Sequence, residues 1–162
     1  MKDGFIKVAA ATPEIKVADC KHNAKQIISL AKELAKKDVK LAVFPELCIT
    51  GYTCQDLFYQ TTLLDGAKNA LITILEELSE LDMITVVGLP MQYDSKLYNC
   101  AAVTYHGKVL GYVPKQYLPN YNEFYEKRHF VPAPAENTVC RLFGKEVPFG
   151  SKLLFCCDTL SE

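Results

Sequence analysis

The sequence predicts an α/β fold built on a mixed sheet. Two observations carry this. Short apolar runs alternate with helical periodicity through the first half, and two β-rich runs then face each other across a glycine turn. At 162 residues, with 49% hydrophobic and 23% charged side chains, the chain suits a single domain with a sizeable core.

Residues 5–11 alternate loosely and suit an opening strand; the charge and glycine before them, with no small-residue cleavage site, do not read as a signal peptide. From about residue 19 to 37, Ala24, Ile27, Ile28, Ala31, Leu34 and Ala35 recur at helical spacing. Residues 41–44 read as a strand buried on both faces. Pro45 bars the next N–H from a ladder, which leaves Glu46 at a strand end, where α/β enzymes keep their chemistry. A turn-rich loop, ITGYTCQD, leads to a second helix whose face carries Leu64, Ala67, Leu71, Ile74, Leu75 and Leu78. Residues 84–89 form a third buried strand that Pro90 is expected to stop.

LYNCAAVTYHGKVLGYVPK then reads as an antiparallel hairpin turning at His106-Gly107. Residues 116–149, with Pro119, Pro132, Pro134, Pro148 and many aromatics, read as a long ordered loop carrying function. Residues 152–157 are the last strand candidate. So late a strand calls for a covering element, so the chain is expected to be a fragment of something longer.

A net charge of -1 with no lysine-rich stripe excludes a nucleic-acid surface, and no apolar stretch is long enough to span a bilayer. Seven cysteines, an odd set without Cys-x-x-Cys or zinc-type histidine spacing, read as reduced thiols of a cytoplasmic protein with no metal site. Lys115 repeats the grammar of Glu46: a β-rich run, a proline, then a charge. The two opposite charges could meet over one sheet edge, where a nearby amine favours the carboxylate form that a general base needs. A purely structural ion pair is the competing reading.

FPELCITGY, LYNCAAVTYHGKVLGYVPK and PKQYLPNYNEFYEKRHF together resemble the nitrilase (carbon-nitrogen hydrolase) superfamily, whose Glu-Lys-Cys triad sits on an αββα sandwich. GYTCQDLF and LPNYNEFYEKRHF resemble one branch, the amino-terminal glutaminase domain of glutamine-dependent NAD synthetases. The resemblance implies Glu46 as general base, Lys115 as oxyanion donor, Glu126 as the carboxylate that positions Lys115, and Tyr52 and Tyr121 as lining of a glutamine pocket. It also implies glutamine as substrate, a nitrilase-like fold truncated before its nucleophile strand, and homo-oligomers. ATP and magnesium would belong to a missing carboxy-terminal synthetase domain that amidates nicotinic acid adenine dinucleotide, and no cofactor to these residues.

In LLFCCD, Cys156 with Asp158 superficially fits the family's nucleophile turn, but Phe155 precedes the thiol and Cys157 follows it, where the family has isoleucine and an aromatic or acidic residue. The nucleophile is therefore expected on the next strand, outside the chain, with Cys156 the alternative, and these residues alone are expected to be inactive. Rival readings are a free-standing amidase, carbamoylase or ω-amidase using the same triad, and a non-catalytic scaffold in which Glu46 and Lys115 only pair.

Overall fold

A computed structural model describes residues 5–142 and 144–156. The elements run β1 (Val8–Ala10), α1 (Cys20–Lys36), β2 (Leu41–Val43), a 3-10 helix (Gln55–Tyr59), α2 (Thr61–Glu77), β3 (Ile84–Tyr93), β4 (Lys96–Tyr105), β5 (Lys108–Pro114), α3 (Glu126–His129), β6 (Thr138–Leu142) and β7 (Lys145–Phe149). The described strands form one sheet in the order β1-β2-β3-β4-β5-β7-β6. β1, β2 and β3 are parallel, the β3-β4-β5 meander is antiparallel, and β7 joins β5 in parallel, so the sheet is mixed as expected.

α1 starts where the Asp19 carboxylate accepts the His22 N–H at 2.9 Å, an N-cap worth about 1 kcal/mol. Its buried face (Ala24, Ile27, Ile28, Ala31) and that of α2 (Leu63, Ala67, Leu71, Ile74) join Ala42, Phe44, Val87 and Leu89 in one core. The hairpin turns where predicted, with His106 at φ 45° and Gly107 at φ 70°, the paired left-handed conformation of a tight two-residue turn.

Four expectations need correction. Residues 41–44 are not buried on both faces. Ala42 and Phe44 point into the core, whereas Val43 is 43% exposed, because among the described residues only one face of the β1–β3 region carries helices. Pro90 does not stop β3, which runs on to Tyr93 in register with β4. β2 accompanies β3 only as far as Val86, so Pro90 has one ladder partner and its missing N–H faces no second strand.

Residues 116–149 are not one loop either, since they contain α3 and the β6–β7 hairpin. Pro148 is tolerated there because β7 meets β5 at a single register position, Tyr112 with Phe149. Residues 152–156 make no strand. The Asn137 side-chain amide takes the place of a ladder neighbour, accepting the Lys152 N–H at 3.1 Å and donating to its carbonyl at 3.0 Å. Leu153 and Phe155 lie instead across Gly111, whose missing Cβ would stand 2.9 Å from the Leu153 side chain. Cys157 and Asp158 lie outside the described residues. No described helix is long and apolar enough to cross a membrane.

Candidate active site

The chain leaves β2 through Phe44, whose N–H still reaches Val86, and Pro45 then releases it into a tight turn. Within that turn Cys48 N–H donates to Pro45 at 3.2 Å, Thr50 and Gly51 N–H donate to Leu47 at 3.1 and 2.7 Å, and Ile49 N–H reaches Gly88 on β3 at 3.1 Å. Leu47 adopts φ 51°, a left-handed conformation uncommon for leucine, and complete burial of its side chain holds it there. Buried Asn23 anchors the far side from α1. It donates to the carbonyls of Lys16 and Ile49 at 2.8 and 3.0 Å and accepts the Lys16 N–H at 2.8 Å.

The turn can lie this close to β3 only because residue 88 is glycine. A Cβ there would meet the Leu47 nitrogen, would sit 2.6 Å from the Pro45 carbonyl oxygen, and 2.8 Å from the Glu46 carbonyl carbon. All three are backbone atoms that cannot rotate away. Gly88→Ala is therefore expected to displace Glu46 and cost about 1 to 3 kcal/mol. A lowered thermal midpoint together with loss of activity in the intact protein would register it; an unchanged midpoint would mean the turn shifts freely.

Lys115, directly after β5, brings the charged groups together. Its Nζ donates to Glu46 Oε1 at 2.7 Å and to Glu126 Oε1 at 2.8 Å. Glu126, 4% exposed at the start of α3, also accepts the Tyr52 hydroxyl at 2.7 Å on that same oxygen. α3 is tied down by the bidentate Arg128–Asp56 pair, both bonds 3.0 Å, and by the Tyr59 hydroxyl on the Arg128 carbonyl. The Asn99 side-chain amide donates to Glu46 Oε1, and the Asn99 carbonyl accepts the Lys115 N–H at 2.8 Å.

Burial opposes the charge on Lys115, but the hydrogen bonds to Glu126 and Glu46 outweigh it and hold its pKa above the ordinary 10.5. The amine is thus a fixed cation at neutral pH. Burial, and then the bond to Glu126, pushes the Tyr52 phenol well above the ordinary tyrosine value, so it stays a donor.

Glu46, Asn99 and Lys115 border a cavity of about 470 Å³ whose other walls include Val43, Val86, Ala101 and Val113. An apolar chamber with an acid, an amide and an amine at one end suits a small amide substrate. Of the residues predicted from sequence, Glu46, Lys115, Glu126 and Tyr52 are joined in one hydrogen-bonded set. Tyr52 enters it through Glu126. Tyr121 stands outside it, 64% exposed and packed edge-on against Phe124. Cys156 is an exposed free thiol that does not line the cavity.

Cys48 and Cys54 flank the turn as buried side chains. Burial pushes the Cys48 thiol up to about 11, and the Cys54 thiol is raised for the same reason. Among the described residues no three His, Cys, Asp or Glu side chains converge as metal ligands. Asn99, Gly88 and Asn23 escaped the sequence reading. The one signal was the placement of Asn99 in LYNC, one strand away from Lys115.

Residues 7–158 match the carbon-nitrogen hydrolase family. The chain is 40% identical over 157 residues to the glutamine-dependent NAD(+) synthetase of Mycobacterium tuberculosis, covering 97% of this chain and 23% of that protein. A crystal structure of a glutamine-dependent NAD(+) synthetase from Cytophaga hutchinsonii superposes with a TM-score of 0.88 at 31% identity, covering 94% of this chain and 26% of that one. An amidase from Nesterenkonia, at 23% identity and a TM-score of 0.68 over 89% of this chain and 56% of its own, shares the fold. The chain thus spans about a quarter of the length of the synthetases it matches. With a family match across nearly all its length and a nitrilase-like sheet that sets a glutamate and a lysine side by side, this chain belongs to the carbon-nitrogen hydrolase family.

Proposed function

We propose that residues 1–162 are the amino-terminal part of a glutamine amidohydrolase domain. That domain supplies ammonia for the ATP-dependent amidation of nicotinic acid adenine dinucleotide to NAD. The observation that carries the reading is the Lys115 ammonium held between two carboxylates, 2.7 Å from Glu46 and 2.8 Å from Glu126, at the end of a cavity large enough for an amide side chain. The likeness to synthetases that use glutamine selects the substrate.

In this reading Glu46 takes the proton of a cysteine thiol, the thiolate attacks the glutamine amide carbon, and Lys115 donates to the oxyanion that forms. Collapse of the tetrahedral intermediate breaks the C–N bond, with the proton returned from Glu46 to the departing ammonia. Glu46 then activates a water that hydrolyses the thioester to glutamate. Glu126, steadied by Tyr52, fixes Lys115; Tyr52 and Tyr121 are assigned to a glutamine pocket by the family likeness alone, since neither borders the cavity at Glu46.

The nucleophile is proposed to lie beyond these residues, which alone are inactive. Two observations support this: Cys156 does not line the cavity, and Cys48 is too buried to ionise at neutral pH. The rest of the glutaminase domain, proposed to cover the open sheet face at Val43, belongs to the longer protein, as does the synthetase domain with its ATP and magnesium. The whole is proposed to be a cytoplasmic homo-oligomer. Feeding the intact protein glutamine labelled with heavy nitrogen in the amide tests the assignment. Label should appear in the carboxamide of NAD. Ammonia release from simple amides with no transfer to a dinucleotide would instead identify a free-standing amidase.

A further inference from the structure

Glu46 and Lys115 do not account for the whole polar end of the cavity. Asn99, 4% exposed in the middle of the sheet, donates its amide N–H to Glu46 Oε1, the same oxygen that receives the Lys115 ammonium. The orientation of that amide follows from chemistry, because an ionised carboxylate accepts only and the NH2 end must face it. The Asn99 carbonyl meanwhile receives the Lys115 N–H at 2.8 Å, and the residue is held in register with Pro90 on one side. A single rigid residue therefore fixes the carboxylate of Glu46 and the backbone that launches Lys115.

We infer that Asn99 is a positioning residue that divides the work between the two oxygens of Glu46, an inference that rests on the proposed role of Glu46 as base. Oε1 is saturated by two donors and becomes the structural oxygen, while Oε2 carries the lone pair offered to the reacting proton. The charged and titratable groups around Glu46 are Lys115 in direct contact, Glu126 and Tyr52 beyond it, and the buried Cys100 thiol in the cavity wall. None of these besides Lys115 donates to Glu46 among the described residues.

The test uses Asn99→Leu, which keeps size and removes the donor, and Asn99→Asp, which keeps shape and replaces the donor by an anion. Both are made in the intact protein, with kcat and KM for glutamine hydrolysis measured beside the thermal midpoint. The loss of one hydrogen bond to a charged group corresponds to roughly 10-fold to 100-fold in kcat for Asn99→Leu, with KM little changed. Loss in kcat with KM held places the effect in the reacting step rather than in binding. Asn99→Asp should lose more in kcat, since it replaces the donor by a second anion beside Glu46.

A residue that merely packs would lower activity in proportion to its effect on the thermal midpoint, with no selective loss of kcat. That result, or full activity in Asn99→Leu, would overturn the inference. Should either variant fail to fold, kcat and KM of the other decide. Glu46→Gln measured alongside separates the two levels. If Glu46→Gln retains glutamine hydrolysis, the reading of Glu46 as base has failed. If it is inactive and the Asn99 variants leave kcat unchanged, only the assignment to Asn99 falls.

Discussion

Glu46→Gln in the intact protein is expected to abolish NAD formation from glutamine while leaving formation from free ammonia at the wild-type rate. The substitution is nearly isosteric, and the new amide oxygen can still accept from Lys115 and Asn99, so the turn around residue 46 should keep its shape. What disappears is the second, basic oxygen. General-base catalysis contributes roughly 100-fold to 10,000-fold, so glutamine-dependent turnover should fall by at least the lower figure. Free ammonia needs neither thiol nor base. Its use bypasses the site that Glu46 occupies, which makes the ratio of the two activities the informative quantity. Equal loss with both nitrogen sources would mean that Glu46 supports folding or assembly rather than amide hydrolysis.

Lys115→Met should have the second-largest effect, on two observables at once. Methionine reproduces the length and apolar character of the lysine stem but places no cation between Glu46 and Glu126. Loss of one oxyanion donor costs about 100-fold to 1,000-fold in kcat. Independently, Glu126 is 4% exposed and would keep only Tyr52 as a donor in place of a cation 2.8 Å away. Stranding a buried carboxylate in this way destabilises by about 3 kcal/mol.

The two effects separate in the double variant Lys115→Met/Glu126→Gln, which removes the stranded charge. It should recover most of the thermal midpoint and none of the glutaminase activity. The pH dependence has a definite sign. The folded-state pKa of Lys115 is raised above 10.5, so its contribution to stability is fully present below that value and is lost as pH rises through the folded pKa. The stability gap between wild type and Lys115→Met should accordingly persist at neutral pH and narrow in strong alkali.

The parts of the fold that were legible in the sequence are those whose pattern is local. α1 announced itself through a run of apolar residues at helical spacing, and the hairpin through His106-Gly107, because helical periodicity and tight turns are set by the residues that make them. The reading failed where a neighbour decides the outcome. Pro90 continues β3 because β2 has already ended, and Pro148 fits in β7 because β5 touches that strand at one position. Residues 152–156 have strand-like composition but find the Asn137 amide in place of a ladder. No periodicity in a single sequence reveals such circumstances.

The site divides in the same way. Glu46 and Lys115 stood out because each is a charge placed after a proline at the end of an apolar run. Their contact at 2.7 Å bears out the geometric half of that reading. Gly88 and Asn99 went unread because each acts through a partner distant in sequence: Gly88 by leaving room for the Glu46 turn, Asn99 by hydrogen-bonding a carboxylate 53 positions away.

Activation of a thiol by Glu46 is measured most directly by the rate at which the intact protein is alkylated by a chloroketone analogue of glutamine, with the modified residue located by mass spectrometry. A single modified cysteine beyond residue 162, reacting far more slowly in Glu46→Gln than in wild type, is the predicted result. Modification at Cys156, or a rate indifferent to Glu46→Gln, would contradict it.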